Sequence, residues 1–272
     1  MMISYHGYSQ NLSVMTYNIR YATVNDGDNQ WEKRKAFLSD QIAFYQPEVF
    51  GIQEGLEHQL LYLKESNQKY DFIGVGRDDG QRKGEYCAIF YNKEKVILDA
   101  QGTFWLSETP EKVSKGWDAA FERICTFALF TDAGSGSKFW VFNTHFDHIG
   151  EVAREKSATL IAQRIGEINK KEYPVFLLGD FNLNEKSKPI VYLSSVLSDS
   201  RSVSEESPFG PHGTFTGFKF HEPVQDRIDY IFTSKNSIRV KKYAVLTDSK
   251  DFKYPSDHFP VFIKAELSGI DK

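Results

Sequence analysis

Six segments of the chain carry polar side chains suited to phosphate chemistry, each at the end or the start of an apolar run. The residues are Asn18, Glu54, His145, Asp180 with Asn182, Asp226 with Asp229, and Asp257 with His258. Strand ends can aim side chains from distant sequence positions at one point, so we expect these residues to share one cavity. Carboxylate and amide oxygens suit a hard cation such as Mg²⁺, while carboxamides and imidazoles donate hydrogen bonds to phosphate oxygens. The pattern therefore predicts metal-assisted hydrolysis of a phosphate ester.

Each of these residues also has a simpler explanation when it is taken alone. An Asn after a strand, such as Asn18, is a common turn former, and a Glu that opens a helix, such as Glu54, favours the helix N-terminus electrostatically. The segment from Gly179 to Asn182 has the composition of an Asx turn. These explanations leave the repetition at six strand ends unaccounted for, so we favour a shared site.

The segment His145-Phe-Asp-His148 permits a different metal, because imidazole and carboxylate groups also bind zinc. The chain has 7 His and 2 Cys residues, and no cysteine pair lies near this segment. Oxygen ligands with Mg²⁺, or Mn²⁺, therefore fit the composition better. The sequence has no Gly-Lys-Ser/Thr phosphate loop and no Gly-x-Ser-x-Gly motif, so nucleotide binding by a P-loop is unsupported.

The hydrophobic pattern predicts the elements that must position these side chains. Apolar runs bounded by turn residues predict strands at 12–17, 49–53, 70–75, 86–91, 96–106, 124–131, 139–144, 175–178, 227–233, 238–246 and 259–267. Helical spacing predicts helices over 31–45, 56–63 and 152–171 and a short helix after residue 178, with polar loops at 23–29 and 198–213. The predicted fold class is α/β (α+β), a four-layer α/β/β/α sandwich of two packed mixed β-sheets flanked by helices. We expect residues 1–11 to form a tail and residues 12–268 a single domain.

Composition narrows the classes of function. The 272 residues are 40% hydrophobic and 26% charged, which suits a large core and argues against global disorder. The net charge is −4, whereas a chain that holds nucleic acid chiefly through phosphate contacts is usually basic. A phosphate group must then be held locally, by a few cations or a metal. Cys87 and Cys125 lie in apolar runs and are expected to be buried thiols; a disulfide between them requires neighbouring strands.

The sequence gives little information on cellular location. No stretch approaches the ~20 apolar residues of a membrane span, so none is expected. The first ten residues lack the basic start and apolar centre of a signal peptide, which favours the cytoplasm. If an upstream signal peptide was lost through a misplaced start site, the protein is periplasmic or secreted, and the compartment stays open. We expect a monomer.

Six motifs follow one another between residues 14 and 267. They are Met15-Thr-Tyr-Asn-Ile-Arg, Ile52-Gln-Glu, Asn143-Thr-His-Phe-Asp-His, Leu178-Gly-Asp-Phe-Asn, Arg227-Ile-Asp-Tyr-Ile-Phe and Ser256-Asp-His-Phe-Pro-Val. In this order they resemble the endonuclease/exonuclease/phosphatase superfamily, which has the DNase I-like fold and includes abasic-site endonucleases, sphingomyelinases and poly(A) deadenylases. The resemblance implies a metal-dependent phosphoric ester hydrolase, a nuclease or a phosphatase, with Mg²⁺ as its cofactor.

Carried over residue by residue, the resemblance also implies roles. Asn18 and Glu54 hold the divalent metal, Glu54 directly. His145 donates a hydrogen bond to a phosphate oxygen or protonates the leaving group. Asp180 orients or deprotonates the attacking water, and Asn182 holds a phosphate oxygen.

The last two motifs supply the remaining members of the implied site. Asp257 helps to arrange the metal and the water. His258 stabilises the phosphoryl oxygens or acts as the base. Its acidic partner is Asp226 or Asp229, and we favour Asp229.

The motifs indicate the substrate less clearly than they indicate the reaction. The segments 84–91 and 104–110 are similar to bacterial relatives of the deadenylase branch, which favours an exonuclease acting on RNA or DNA. The segment 224–227 retains only the end of the Pro-x-Trp-Cys-Asp-Arg element of inositol-phosphate 5-phosphatases. Arg123 and Arg154, with Asp226, are candidate substrate contacts. The alternatives are a phosphatase or phosphodiesterase for a small sugar-, nucleotide- or lipid-derived phosphate, and a catalytically inactive binding module.

Overall fold

The structure is a computed structural model that describes residues 11–267, which build two six-stranded mixed sheets. The first sheet has the spatial order β11 (Ile238–Val245), β12 (Val261–Leu267), β1 (Asn11–Asn18), β2 (Val49–Gly55), β4 (Tyr86–Asn92) and β3 (Tyr70–Ile73). The second has the order β5 (Val96–Trp105), β6 (Ile124–Asp132), β7 (Lys138–His145), β8 (Val175–Asp180), β10 (Asp229–Thr233) and β9 (Ser198–Asp199). All eleven predicted strands are present with small changes at their ends, and β9 is an additional short strand within the predicted loop 198–213.

Each sheet is built around one parallel pair of strands joined through a helix. In the first sheet β1 and β2 are parallel, connected by α1 (Trp31–Tyr45); in the second, β7 and β8 are parallel, connected by α3 (Glu151–Ile168). The neighbours β12 and β10 run antiparallel to these pairs. Consequently the carboxyl ends of four strands and the starting ends of two others lie at the same edge of the sandwich.

The four layers are defined by three apolar clusters. Residues such as Val14, Ile89 and Phe139 fill the space between the two sheets. On the outer face of the first sheet, α1 packs with α2 (Glu57–Ser66), and on the outer face of the second, α3 packs with α4 (Lys188–Val196). The two packed mixed sheets flanked by helices confirm the predicted sandwich. Within residues 11–267 no helix is both long and apolar enough to cross a bilayer.

Several predicted boundaries are corrected by local chemistry. The expected loop at 23–29 contains a 3₁₀ helix over Val24–Asn29, where the Thr23 hydroxyl accepts a hydrogen bond from the Asn25 N–H. Helix α3 ends at Ile168 rather than at residue 171, because the Asn169 side chain bonds the backbone of Tyr173. The last strand begins at 261 rather than 259, after Pro260, which has no N–H to donate to a ladder.

Two further expectations are resolved by the topology. The strand predicted from residue 227 starts at Asp229, since the Arg227 side chain turns away to form two hydrogen bonds with Asp199. Cys87 and Cys125 lie on β4 and β6, in different sheets, and both are free buried thiols. Most of the predicted N-terminal tail, residues 1–10, lies outside the described residues.

Candidate active site

A cavity of about 500 Å³ opens at the edge of the sandwich where the polar strand ends meet. Such a volume is within the usual range of small-molecule sites. Its lining is strongly polar, with four carboxylates, three guanidiniums and three imidazoles. The lining residues are Arg20, Tyr21, Glu54, Arg77, Glu85, Phe121, Arg123, His145, His148, Asp180, Asn182, Phe215, Ile228, Asp257 and His258.

Glu54 reaches the cavity because the backbone of β2 is bent at its end. The pairing of β2 with β4 shifts between Ile52 and Gly55, and Glu54 has a φ of 62°, a left-handed conformation that is rare for Glu. Asn18 holds it in place: its Nδ2 donates to Glu54 Oε1 at 3.0 Å. A bulge that re-aims one side chain, at an energetic cost, is typical of a functional position.

Asp180 lies at the centre of the site. Asn18 Nδ2 donates to Asp180 Oδ2 at 2.9 Å, and the same oxygen lies 3.5 Å from His145 Nε2 and 3.8 Å from His258 Nε2. The Asn182 N–H, on a residue with a φ of 51°, donates to Asp180 Oδ1. Burial, reinforced by the charge of Asp229, raises the pKa of Asp180 to about 7.

His258 is oriented by a buried carboxylate. Its Nδ1 lies 2.9 Å from Asp229 Oδ2, and both side chains are almost fully buried. Burial alone lowers the pKa of an imidazole, but the charge and hydrogen bond of Asp229, with those of neighbouring carboxylates, raise the pKa of His258 to about 10. The ring is therefore held as a cation. Its Nδ1–H faces Asp229, and its Nε2–H faces the cavity.

His145 has the opposite electrostatic environment. Burial, together with the charges of Arg123 and Arg77, holds its pKa well below the usual value. Its Nε2 lies 3.1 Å from Nδ2 of Asn182, which also donates to the carbonyl of Phe146 at 2.9 Å. Asp180 Oδ2 thus has one neutral and one cationic imidazole near it.

One group of lining residues has the donor set of a divalent-cation site. Potential ligand atoms of Glu54, His145 and Asp180 lie within 4.8 Å of one another, and Asp257 lines the same cavity. Burial raises the pKa of Asp257, as it does that of Asp180, because these carboxylates crowd together away from water. A hard cation relieves such crowding, so the residues fit Mg²⁺.

Five further residues of the cavity lining, which we call the distal wall, are Arg77, Glu85, Phe121, Arg123 and His148. Arg77 forms a bidentate pair with Glu85, with distances of 2.8 Å and 2.9 Å. Arg123 Nε donates to Asp147 at 3.2 Å, and its Nη2 lies 3.1 Å from His148 Nδ1. Phe121 is 49% exposed.

The structure brings nine of the eleven predicted side chains together and leaves Asp226 and Arg154 apart. Asp229 pairs with His258, whereas Asp226 is exposed and only its carbonyl is used, by the N–H groups of Thr214 and Phe215. Arg154 lies outside the lining because its guanidinium donates to the carbonyl of Asp147. Arg123 does line the cavity.

The zinc alternative finds little support in the geometry. Potential ligand clusters within residues 11–267 combine His145 with Glu54 and Asp180, and His258 with Asp180 and Asp229. His148 instead lies beside the guanidinium of Arg123, where a second cation is disfavoured.

Sequence reasoning did not select several residues that line the cavity. Arg20 is the last residue of the first motif and pairs with Asp26 at 3.0 Å, so its position in Asn-Ile-Arg was a usable signal. Arg77, Glu85 and Phe121 lie in connecting segments, where no periodicity indicates which way a side chain points. Phe215, 39% exposed, contacts His258 edge-to-face.

Comparison with known proteins gives a consistent result. The model of the Endonuclease/Exonuclease/phosphatase family matches residues 15–258. A solved structure of an endonuclease/exonuclease/phosphatase family protein from Bacteroides thetaiotaomicron is 38% identical, with a TM-score of 0.92 over 96% of this chain and 99% of that chain. A mannosyl-6-phosphatase from B. thetaiotaomicron VPI-5482 is 39% identical, with a TM-score of 0.89 over 93% and 99%.

Curated sequences give more distant matches. Nocturnin of Drosophila melanogaster is 25% identical over 281 residues, which cover 87% of this chain and 42% of that protein. The chain spans about half the length of the curated relatives it matches, 61%, 42% and 49% for three of them.

Proposed function

The chain belongs to the endonuclease/exonuclease/phosphatase family, and on that premise we propose that it is a divalent-metal-dependent hydrolase of small phosphate monoesters. The observation that carries the proposal is the convergence of Glu54, Asp180 and the Asp229–His258 pair on one cavity. Such a set can hold a phosphate between a cation and hydrogen-bond donors while a carboxylate faces the attacking water.

Each side chain has a role that follows from its contacts. Asp180 accepts a proton from the attacking water, for which its central position between the two imidazoles is suited. His258, fixed by Asp229, donates its Nε2–H to a phosphoryl oxygen. Asn182 and His145, which are in contact with each other, hold further phosphate oxygens.

Glu54, Asn18 and Asp257 are the residues that would hold the cation, with Mg²⁺ proposed and Mn²⁺ as a substitute. When bound, the cation supplies positive charge that offsets the charge developing on the phosphoryl oxygens. Asn18 has a second function, since its amide bridges Glu54 and Asp180 and fixes their separation.

The charge pattern favours a small monoester over a polyanion. The three guanidiniums that line the cavity are already paired with carboxylates, Arg20 with Asp26, Arg77 with Glu85 and Arg123 with Asp147. A nucleic acid presents many phosphates that need cations, whereas the residues of this site would hold a single phosphate together with one bound cation. The similarity to a mannosyl-6-phosphatase, at 39% identity, points the same way.

An exonuclease acting on RNA is the second candidate, as the motifs suggested. Phe121 and Phe215 are both partly exposed at the cavity, and exposed aromatic rings can stack on unpaired bases. Relatives at 24% identity are 3′-5′-exoribonuclease subunits.

The first experiment is a substrate panel with and without Mg²⁺. We expect metal-dependent phosphate release from monoesters, abolished by EDTA and restored by Mg²⁺. Asp180→Asn should lower kcat by roughly 10²–10⁴-fold, whereas Asp40→Asn, an exposed control on α1, should not. Shortening of oligo(A) that Asp180→Asn abolishes would favour the exonuclease. If no ester is turned over in a metal-dependent way, the hydrolase proposal fails and an inactive binding module is left.

A further inference from the structure

None of the distal-wall residues has a hydrolytic role in the proposal above, yet the polar side chains among them are held in place by hydrogen bonds. The distal wall adjoins the catalytic residues at His145, whose Nδ1 lies 3.8 Å from Glu85 Oε2. A group bonded to a phosphate beside His145 therefore has the distal wall as a neighbouring surface in the same cavity.

The polar members of the distal wall are fixed before any ligand arrives. Two parallel hydrogen bonds hold Arg77 and Glu85 in one plane, and the Arg77 side chain is only 10% exposed. Arg123 is held by Asp147, whose other oxygen accepts hydrogen bonds from the N–H groups of Ile149 and Gly150 at 3.1 Å and 2.8 Å. Preorganised donors and acceptors lower the entropic cost of binding a ligand.

The polar groups are of mixed sign. Glu85 offers acceptors, the two guanidiniums offer donors, and His148 offers a ring nitrogen, so the wall suits hydroxyl groups, which both donate and accept. A second phosphate would meet the Glu85 carboxylate and guanidiniums whose charges are already balanced. The ligand of this surface is thus polar and uncharged.

One aromatic face completes the surface. Phe121 is flanked by the Arg77 guanidinium, 5.2 Å from the ring centroid, and by the His148 ring, stacked at 6.0 Å and 14°. The ring is held by these neighbours and still 49% exposed. The exposed part of the ring is apolar surface beside fixed donors and acceptors, which matches the C–H groups and polar rim of a sugar ring.

We propose that the distal wall is the leaving-group subsite and that it binds a hydroxylated sugar ring, so that the substrates are sugar phosphates. Glu85 and the guanidiniums bond the hydroxyls, and Phe121 packs against the ring. The reaction itself is the one already proposed, on which this inference rests: water adds to phosphorus, the phosphorus–oxygen ester bond breaks, and the sugar hydroxyl and inorganic phosphate leave. The subsite raises specificity through binding energy remote from the reacting atoms.

The test compares hexose 6-phosphates with ethyl phosphate, which has the same kind of primary alkoxide leaving group and no ring. For the wild type with Mg²⁺, we expect kcat/KM to be roughly 100-fold higher for the preferred hexose 6-phosphate. Phe121→Ala and Glu85→Gln should each lower this ratio about 10-fold. The matched controls are Phe209→Ala, 75% exposed, and Glu57→Gln, paired with Arg82; neither residue lines the cavity, and the ratio should not change.

The outcomes separate the subsite from the hydrolytic function. Equal kcat/KM values for ethyl phosphate and every hexose phosphate would overturn the subsite and leave the hydrolase proposal standing. A preference for nucleoside 5′-monophosphates that Phe121→Ala removes would also overturn it, because the wall would then bind a base. Absence of metal-dependent turnover with every ester would overturn both. Because Phe121 is half exposed, its Ala variant tests the proposal even if Glu85→Gln fails to fold.

Discussion

Asp226 and Asp229 lie three positions apart in the chain and differ sharply in burial. Asp229 begins β10 opposite Asp180, and its side chain is 1% exposed and paired with His258. Asp226 lies before the strand, and its backbone carbonyl accepts a hydrogen bond from the Thr214 N–H. Both were chemically acceptable partners in the sequence, and only the start of the strand distinguishes them.

Asp229→Asn is therefore expected to impair catalysis while keeping the fold. An amide at this position offers no charge to hold His258 as a cation and permits the wrong ring orientation. We expect kcat to fall by roughly 10²-fold or more, measured by phosphate release from a monoester. The matched control Asp226→Asn should keep its activity within about twofold. If Asp226→Asn is the more damaging variant, the pairing seen here is not the functional one.

At this scale the sequence predicted the strand-end residues of the site and, of the distal wall, only Arg123 as a substrate contact. Glu54, Asp180 and His258 follow or precede apolar strands, so a pattern of strand ends selects them. Arg77 and Glu85 meet across a loop that is closed by an isolated bridge between Gly76 and Tyr86. Such a contact depends on the path of the loop, and the spacing of hydrophobic residues does not predict that path.

The two sheets are joined near the site by a buried polar contact rather than by apolar packing alone. Asn143 on β7 donates to the carbonyls of Ile52 and Ala88 at 2.9 Å and 2.8 Å and accepts from Gln53 Nε2. Gly51 on β2 leaves the space this side chain needs. A Cβ at residue 51 would lie 2.6 Å from Asn143 Oδ1.

Gly51→Ala should therefore destabilise the protein, although Ala is the better strand residue. The added methyl group would displace Asn143, which strains the packing and weakens the buried hydrogen bonds. We expect the free energy of unfolding to fall by about 2–4 kcal/mol. Gly166→Ala on α3 is the matched control: no atom lies within 4 Å of its Cβ, so helix propensity should raise stability by about 0.5–1 kcal/mol. Denaturant unfolding measures both. Equal effects of the two variants would contradict this account of the sheet contact.

The order of strands and helices was largely predictable, because each element is an apolar run or a helical pattern bounded by turn residues such as Gly, Pro or Asn. The bend at the end of β2 was not predictable. The run Phe50-Gly-Ile-Gln-Glu alternates normally, and the left-handed φ of Glu54 is imposed by the contacts that Asn18 and the Tyr21 N–H make with its carboxylate. A residue held in a strained conformation by tertiary contacts has no local sequence signal.

For the whole molecule, the acidic site links cation binding to stability. Glu54, Asp180 and Asp257 line one cavity in a chain whose net charge is −4. Folding brings these like charges together and removes them from water, which opposes the folded state. A cation that binds only the folded chain reverses that penalty.

Mg²⁺ should therefore raise the melting temperature, and Glu54→Gln should abolish the rise. At a concentration of about 100 times Kd, linkage predicts a gain of about 2.7 kcal/mol, which corresponds to roughly 5–10 °C for a chain of this size. In EDTA, Glu54→Gln should melt at or above the wild-type temperature, because the amide removes one of the crowded charges. The exposed-pair variant Glu57→Gln should respond to Mg²⁺ as the wild type does. Calorimetry of the three proteins with and without Mg²⁺ measures these melting temperatures. If the Glu54→Gln protein is less stable than the wild type in EDTA and still responds to Mg²⁺, Glu54 is a structural residue and the cation binds elsewhere.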